Sequence, residues 1–228
     1  MLIEGAFLKI PEVLLSYEDR NGLYEASIVN ILTNAVILEF NARNIDNPLT
    51  KLQLEKRYDI SANIRCDLFA NFDFIDDALQ GYGCFQENWI ETKYFGDLER
   101  AKGTQTKSEN PARILYDLYR LARYANAERA VNKGLYFLGV FSHAPGRYLA
   151  FNRQDSTERT WLKSLLTCGV HDISFDLDDE PGCIKKIFGQ SSLRFALKTR
   201  TSLFEPLDST GDGFFGYLVQ ILSFDIVE

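Results

Sequence analysis

Two stretches of this 228-residue chain place charge in the middle of otherwise apolar, strand-like sequence. In "ISANIRCDLFANFDF", residues 60–74, Asp67 stands between Cys66 and Leu68. In "CFQENWIETKYF", residues 84–95, Glu91 and Lys93 stand among Trp89, Ile90, Tyr94 and Phe95. Side chains two apart in a strand share a face, so Glu91 and Lys93 project together. A charged group on a semi-buried strand costs free energy unless something pairs with it. Any fold of this chain must therefore bring partners to these three side chains.

The acid-x-Lys spacing alone carries little weight. With 32 acidic residues and 11 lysines in the chain, chance gives roughly 1.5 occurrences, and the chain has one. Its context is what counts. A divalent cation bound by Asp67 and Glu91 would supply the missing partner, with the Thr92 carbonyl as a further oxygen ligand and waters completing an octahedral Mg²⁺ shell.

The flanking sequence orders the elements. Residues 22–42, "GLYEASIVNILTNAVILEFNA", have helical periodicity, with Ile28, Ile31, Leu32, Ala35, Val36 and Leu38 on a broad apolar face. Residues 49–58 suit either a short helix or a strand. The stretches 60–74 and 84–95 are strands joined through "IDDALQGYG", whose Gly-Tyr-Gly fits a hairpin connection. A polar, basic loop follows. Asn110-Pro111 then has the form of a helix start, an N-cap followed by proline at the first helical position. Beyond it Ile114, Leu115, Leu118, Leu121, Ala122 and Ala125 form the buried stripe, with Arg113, Asp117, Arg120 and Arg123 on the other side. "KGLYFLGVFS", 133–142, is an apolar strand. Farther on, "GRYLAFN", "HDISFDL", "SLRFALKTRTSLF" and "FFGYLVQILSFDIV" are expected strands, and "STERTWLKSLLTCG" an amphipathic helix. "DLDDEPG", 176–182, is expected as a solvated loop, and "DSTGDG", 208–213, as a tight turn.

Composition narrows the function classes. No apolar run approaches the roughly 20 residues that span a bilayer. The opening "MLIEGAFLKIPEVLLSYEDR" lacks a basic n-region, so no signal peptide is expected and a soluble cytoplasmic protein is. Cys66, Cys84, Cys168 and Cys183 are scattered without a C-x-x-C pair, which argues for free thiols against a zinc ribbon or disulfide framework. With only His143 and His171, a histidine-metal nuclease or H-E-x-x-H hydrolase is nearly excluded, and His171 is expected to be a strand-edge residue. The net charge of -7 hides a local reversal: residues 93–133 carry 9 basic and 5 acidic side chains. A basic surface beside a carboxylate cluster is compatible with a polyanionic partner.

The element order and embedded charges resemble the PD-(D/E)XK nuclease superfamily. The resemblance covers about residues 22–142 and implies an α/β (mixed α+β) fold with a restriction-endonuclease-like core: helix, antiparallel strand meander, helix, strand. Asp67 matches the lone acid, Glu91 the second acid and Lys93 the lysine; Glu25, on the first helix, is the candidate for a further metal-site glutamate. Asp59, Asp73, Asp76 and Asp77 remain alternative partners for Glu91. The resemblance implies a Mg²⁺- or Mn²⁺-dependent restriction-type endonuclease acting on DNA, with Lys93 orienting the attacking water, and Lys102, Lys107, Arg113, Arg120 and Arg123 near backbone phosphates. A homodimer would suit cleavage of both strands. A single domain over 1–228 is expected, residues 143–228 adding strands and one helix to the core. The alternative is a non-catalytic binding or assembly protein of the same fold.

Overall fold

The computed structural model describes residues 2–17, 23–58, 61–96, 104–125, 133–153, 155–206 and 212–226. Seven strands form one mixed sheet: β1 (Leu52–Tyr58), β2 (Ser61–Asn71), β3 (Glu87–Phe95), β4 (Lys133–His143), β5 (Gly169–Asp176), β6 (Arg194–Phe204) and β7 (Asp212–Ile226). Their spatial order is β1-β2-β3-β4-β7-β6-β5. Every neighbouring pair is antiparallel except β3 and β4, which run parallel from Glu87↔Lys133 to Phe95↔Phe141. A parallel pair needs a crossover, and α3 (Thr104–Ala125) lies within it.

Helices cover both faces. α1 (Leu2–Leu15) and α2 (Glu25–Ala42) pack one side, where Ile10, Ile31 and Phe40 meet Leu68, Ile90, Tyr136, Leu138 and Val140. On the other side α3 is joined by two short helices, α4 (Thr160–Leu165) and α5 (Gly182–Phe188). There Leu115, Leu118 and Ala122 meet Trp89, Leu135 and Phe137. This double cover explains why β4 is apolar at successive positions, because a strand buried on both faces has no solvent side. The C-terminal strands extend the same sheet: β7 pairs with β4, and β6 and β5 follow outward. Among the described residues no helix is long and apolar enough to cross a membrane.

The sequence expectations meet several corrections. Residues 48–58 are a 3₁₀ turn, Pro48–Lys51, followed by β1, so both readings of that segment are realised in turn. The opening segment, for which no element was expected, forms α1 and buries Ile3, Ala6, Phe7, Ile10, Val13 and Leu14. Helix α3 begins at Thr104, so Asn110-Pro111 lies inside it. A proline there deprives the carbonyl four residues earlier of its partner, but the Lys107 carbonyl instead accepts the Ala150 N–H at 3.0 Å. Asn110 donates its side-chain amide to the Tyr148 carbonyl at 3.0 Å. The Asn-Pro pair thus docks residues 148–150 onto the helix instead of starting it.

"GRYLAFN" is not a strand. It begins within the 3₁₀ turn Pro145–Arg147, and its last residue, Asn152, makes a single bridge to Glu158. Among the described residues the C-terminal region carries two α-helices where one was expected. Nor is "DLDDEPG" simply solvated: Glu180 is buried against Arg159, N to O 3.2 Å, and Arg159 also donates to the Ala150 and Asn152 carbonyls. "DSTGDG" lies largely outside the described residues. All four cysteines are free, and His171 sits on edge strand β5, its Nε2 2.9 Å from the Thr167 carbonyl oxygen.

Candidate active site

Strands β2 and β3 pair from Asn71↔Glu87 to Leu68↔Ile90 and no farther, while β3 continues alongside β4 to Phe95. The sheet therefore forks at Asp67. The β1–β2 ladder also skips this point, pairing Leu54 with Leu68 and Lys56 with Cys66. Between them Glu55, which counts opposite Asp67, has a left-handed φ of 53°. The alternation of faces slips there as well, since Leu68 packs on the α1–α2 side and Cys66 on the α3 side. A non-glycine residue at positive φ is costly and tends to mark functional sites.

Asp67 takes over the hydrogen bonding that the fork interrupts. Its Oδ2 accepts the Thr92 N–H at 2.6 Å and the Thr92 hydroxyl at 3.0 Å. Glu91, one residue earlier on β3, points to the α3 side and is 2% exposed. Its Oε1 accepts the Tyr58 hydroxyl at 2.6 Å, and its Oε2 accepts a hydrogen bond from the Arg120 guanidinium.

From Glu91 the charges alternate outward. Arg120 lies 3.6 Å from Asp117, Asp117 lies 3.4 Å from the Lys93 ammonium, and Lys93 lies 3.1 Å from Glu25. The row runs from the Glu91 side chain, 2% exposed, to that of Glu25, 47% exposed. Glu25 opens α2, in the layer opposite α3, and reaches Lys93 beside the part of β3 that β2 has left.

Burial and neighbouring charge together set the protonation of these groups. It pushes the Glu91 carboxyl up to about 8; Asp67 and Asp117 add to the rise, while Arg120 and the Tyr58 hydrogen bond oppose it. Asp117 is likewise raised by burial against the pull of Lys93 and Arg120. For Lys93, burial works against the charged form, but Asp117, Glu25 and Asp67 outweigh it and the ammonium is held more firmly than usual. The Cys66 thiol, buried beside Glu91 and Asp67, is pushed up to about 12.

In donor chemistry these residues suit a divalent cation. Four carboxylates (Glu25, Asp67, Glu91, Asp117) face two cations (Lys93, Arg120), and oxygen donors are what Mg²⁺ takes. Asp67 and Glu91, with Glu25 beside Lys93, are the residues that would hold it. Among the described residues, however, no three His, Cys, Asp or Glu side chains form a ready ligand group. Instead the acids are held by Lys93, Arg120, Tyr58 and Thr92. Thr92 serves here through its N–H and hydroxyl, as the anchor of Asp67.

The other sequence candidates separate clearly. Asp73 pairs with Lys51 at 2.5 Å, and Asp76 accepts the Ala78 N–H at 2.8 Å, so neither turns to Glu91. Asp59 and Lys102 lie outside the described residues, as does the side chain of Asp77. Arg120 is turned inward to Glu91 instead of lying on a solvated helix face. Arg123 donates to the Tyr119 hydroxyl, and Lys107 is half-buried on α3. Arg113 is exposed, 3.6 Å from Glu109. Asp117 and Tyr58 escaped the sequence reading. Asp117 stands three residues after Ile114 and four before Leu121, at the border of the apolar stripe, which was the available signal.

Comparison with protein-family models, curated proteins and solved structures gave no match.

Proposed function

We propose that this chain is a metal-dependent phosphodiesterase that cleaves DNA as restriction-type endonucleases do, on a restriction-endonuclease-like core. The observation that carries the reading is the convergence of Asp67, Glu91, Lys93 and Glu25 from β2, β3 and α2 at a fork in the sheet, with acids outnumbering cations. The order of elements supports it: a helix, three antiparallel strands, a crossover helix, and a strand parallel to the third.

In this reading Asp67 and Glu91 would hold Mg²⁺ or Mn²⁺, which would supply a Lewis acid for the phosphate and lower the pKa of water. Lys93, kept protonated by Asp117 and Glu25, donates hydrogen bonds to the attacking water and to the phosphoryl oxygens as charge builds on them. Arg120 and Tyr58 fix the Glu91 carboxylate, and Thr92 fixes that of Asp67. A homodimer cutting both strands belongs to the same proposal and is checked by light scattering.

The test is nicking of supercoiled plasmid by the purified chain in Mg²⁺ or Mn²⁺. Activity is expected in the wild type, with losses of at least about 100-fold in Lys93→Ala and Asp67→Asn. No nicking of any DNA with either ion would refute cleavage. A second reading, a non-catalytic binding or assembly protein, draws on the complete internal pairing of Glu91 by Tyr58 and Arg120. It requires that calorimetry find no divalent-ion binding that depends on Asp67.

A further inference from the structure

Two cavities, of about 500 Å³ and about 260 Å³, meet at Lys93, Glu109 and Arg113. One runs between α3 and α5, past Tyr116 and Lys186; the other runs past Glu25 and Tyr94 toward Gly96. Glu109, Arg113 and Tyr116 are spaced four and three apart on α3 and so share one helical face. That face and α5 form the walls of a trough that passes over Lys93.

The trough combines cations with aromatic rings, and the acids Glu25, Glu109 and Asp117 line it beside them. Lys186 is exposed, and among the described residues it makes no ion pair and Arg113 pairs only with Glu109, four residues earlier on α3. Tyr116 is half-buried, held edge-on against Phe188 with ring centroids 5.4 Å apart. On the far side of Lys93 the Tyr94 ring lies over Gly96, where a Cβ would come within 2.2 Å of it. Each cavity is in or near the range of small-ligand sites, roughly 300–1,000 Å³. Cations that follow a backbone, interleaved with rings on which bases stack, are the chemistry of single-strand binding. In a duplex the bases are stacked on one another and present no free faces to such rings.

We propose that this trough is the track for an unpaired DNA strand, with Lys186 and Arg113 on backbone phosphates and Tyr116 and Tyr94 stacking bases on either side of Lys93. The inference rests on the phosphodiesterase reading and names its substrate class: single-stranded or locally unwound DNA.

The test is fluorescence anisotropy with a labelled oligo-dT and a labelled duplex of equal length, in Ca²⁺, which takes the same oxygen donors. The single strand is expected to bind at least about tenfold tighter than the duplex, and Tyr116→Leu to lose about tenfold of that affinity. Lys186→Ala should lower the salt slope of single-strand binding by about 0.7. Being exposed, Lys186 decides the matter even if the tyrosine variant melts early. Equal or tighter duplex binding, or a Lys186→Ala variant with unchanged single-strand affinity and slope, overturns the track. A chain that binds the single strand through Lys186 yet cuts nothing sinks the cleavage reading alone. One that nicks plasmid without single-strand preference sinks this inference alone.

Discussion

Raising the pH from about 5.5 to about 8.5 is expected to weaken this fold, chiefly through Glu91. In the unfolded chain the carboxyl has its ordinary pKa of 4.5, and in the folded chain it is pushed up to about 8. Below 4.5 both states hold the proton and pH has no leverage on this group. Between the two values the unfolded chain has lost the proton and the folded chain keeps it, so each rise in pH favours unfolding. Above about 8 both states are ionised and the loss is complete. Each unit of difference is worth about 1.4 kcal/mol, so the full difference is worth about 5 kcal/mol, of which about 3 kcal/mol falls between about pH 5.5 and 8.5. Asp117, also raised, acts with the same sign. Lys93 does not oppose it here, because an ammonium with a raised pKa loses its contribution only at higher pH.

With a urea dependence of about 2–3 kcal/mol per molar, the unfolding midpoint should fall by between about 1 and 2 M across the window. Circular dichroism in urea measures it. Glu91→Gln keeps an oxygen for the Tyr58 hydroxyl and has no proton to release, so its midpoint should vary far less with pH. A wild-type midpoint that is flat or rises from pH 5.5 to 8.5, or a glutamine variant that falls as steeply, would refute the reasoning.

Other substitutions probe the supports. Asp67→Asn retains an oxygen for the Thr92 N–H and should cost little stability, whereas Asp67→Ala leaves that N–H unpaired and should cost about 1–3 kcal/mol in urea titrations. Gly5→Ala brings a Cβ within 2.2 Å of Glu39 Oε1, on a buried carboxylate held by Arg43 and Lys9. It should lower stability by about 1–3 kcal/mol, seen as a drop in melting temperature. Arg159→Leu strands Glu180, whose partner it is at 3.2 Å, and should cost about 3–5 kcal/mol by the same measurement.

Much of the charged cluster was legible because charge inside an apolar strand demands a partner, and Asp67, Glu91 and Lys93 all stand out by that criterion. The partners themselves were less legible. Arg120 and Asp117, three apart on an amphipathic helix, have the pattern of a solvated pair until tertiary packing lays Glu91 and Lys93 against them. The start of α3 was hidden for a similar reason: the carbonyl that Pro111 leaves free is taken by Ala150, which no local pattern could announce. Glu180 lies in an acidic run that reads as solvated, and Arg159, its partner, comes from another segment. Helix α1 had a visible period, Ile3, Phe7, Ile10 and Leu14, but Gly5 and Pro11 interrupt it with weak helix formers.

The molecule contains its own control for judging the fork. Arg159 and Glu180 are a structural ion pair: one cation to one acid, 1% and 3% exposed at their side chains, with guanidinium N–H groups also donating to carbonyls. The fork cluster differs in each respect. Its acids outnumber its cations, its outer end at Glu25 is open, and burial has raised two of its carboxyls. A divalent ion among those acids would oppose the effect of burial and bring Glu91 back toward the ordinary carboxylate range, so binding must expel a proton. Calorimetric titration with Mg²⁺ at about pH 7, repeated in buffers of different ionisation enthalpy, should therefore show heats that depend on the buffer, with up to about one proton released per ion. In Glu91→Gln the buffer dependence should shrink to what Asp117 supplies. Binding with buffer-independent heat in the wild type would place the ion away from Glu91, and the cluster would then be a strut like Arg159–Glu180.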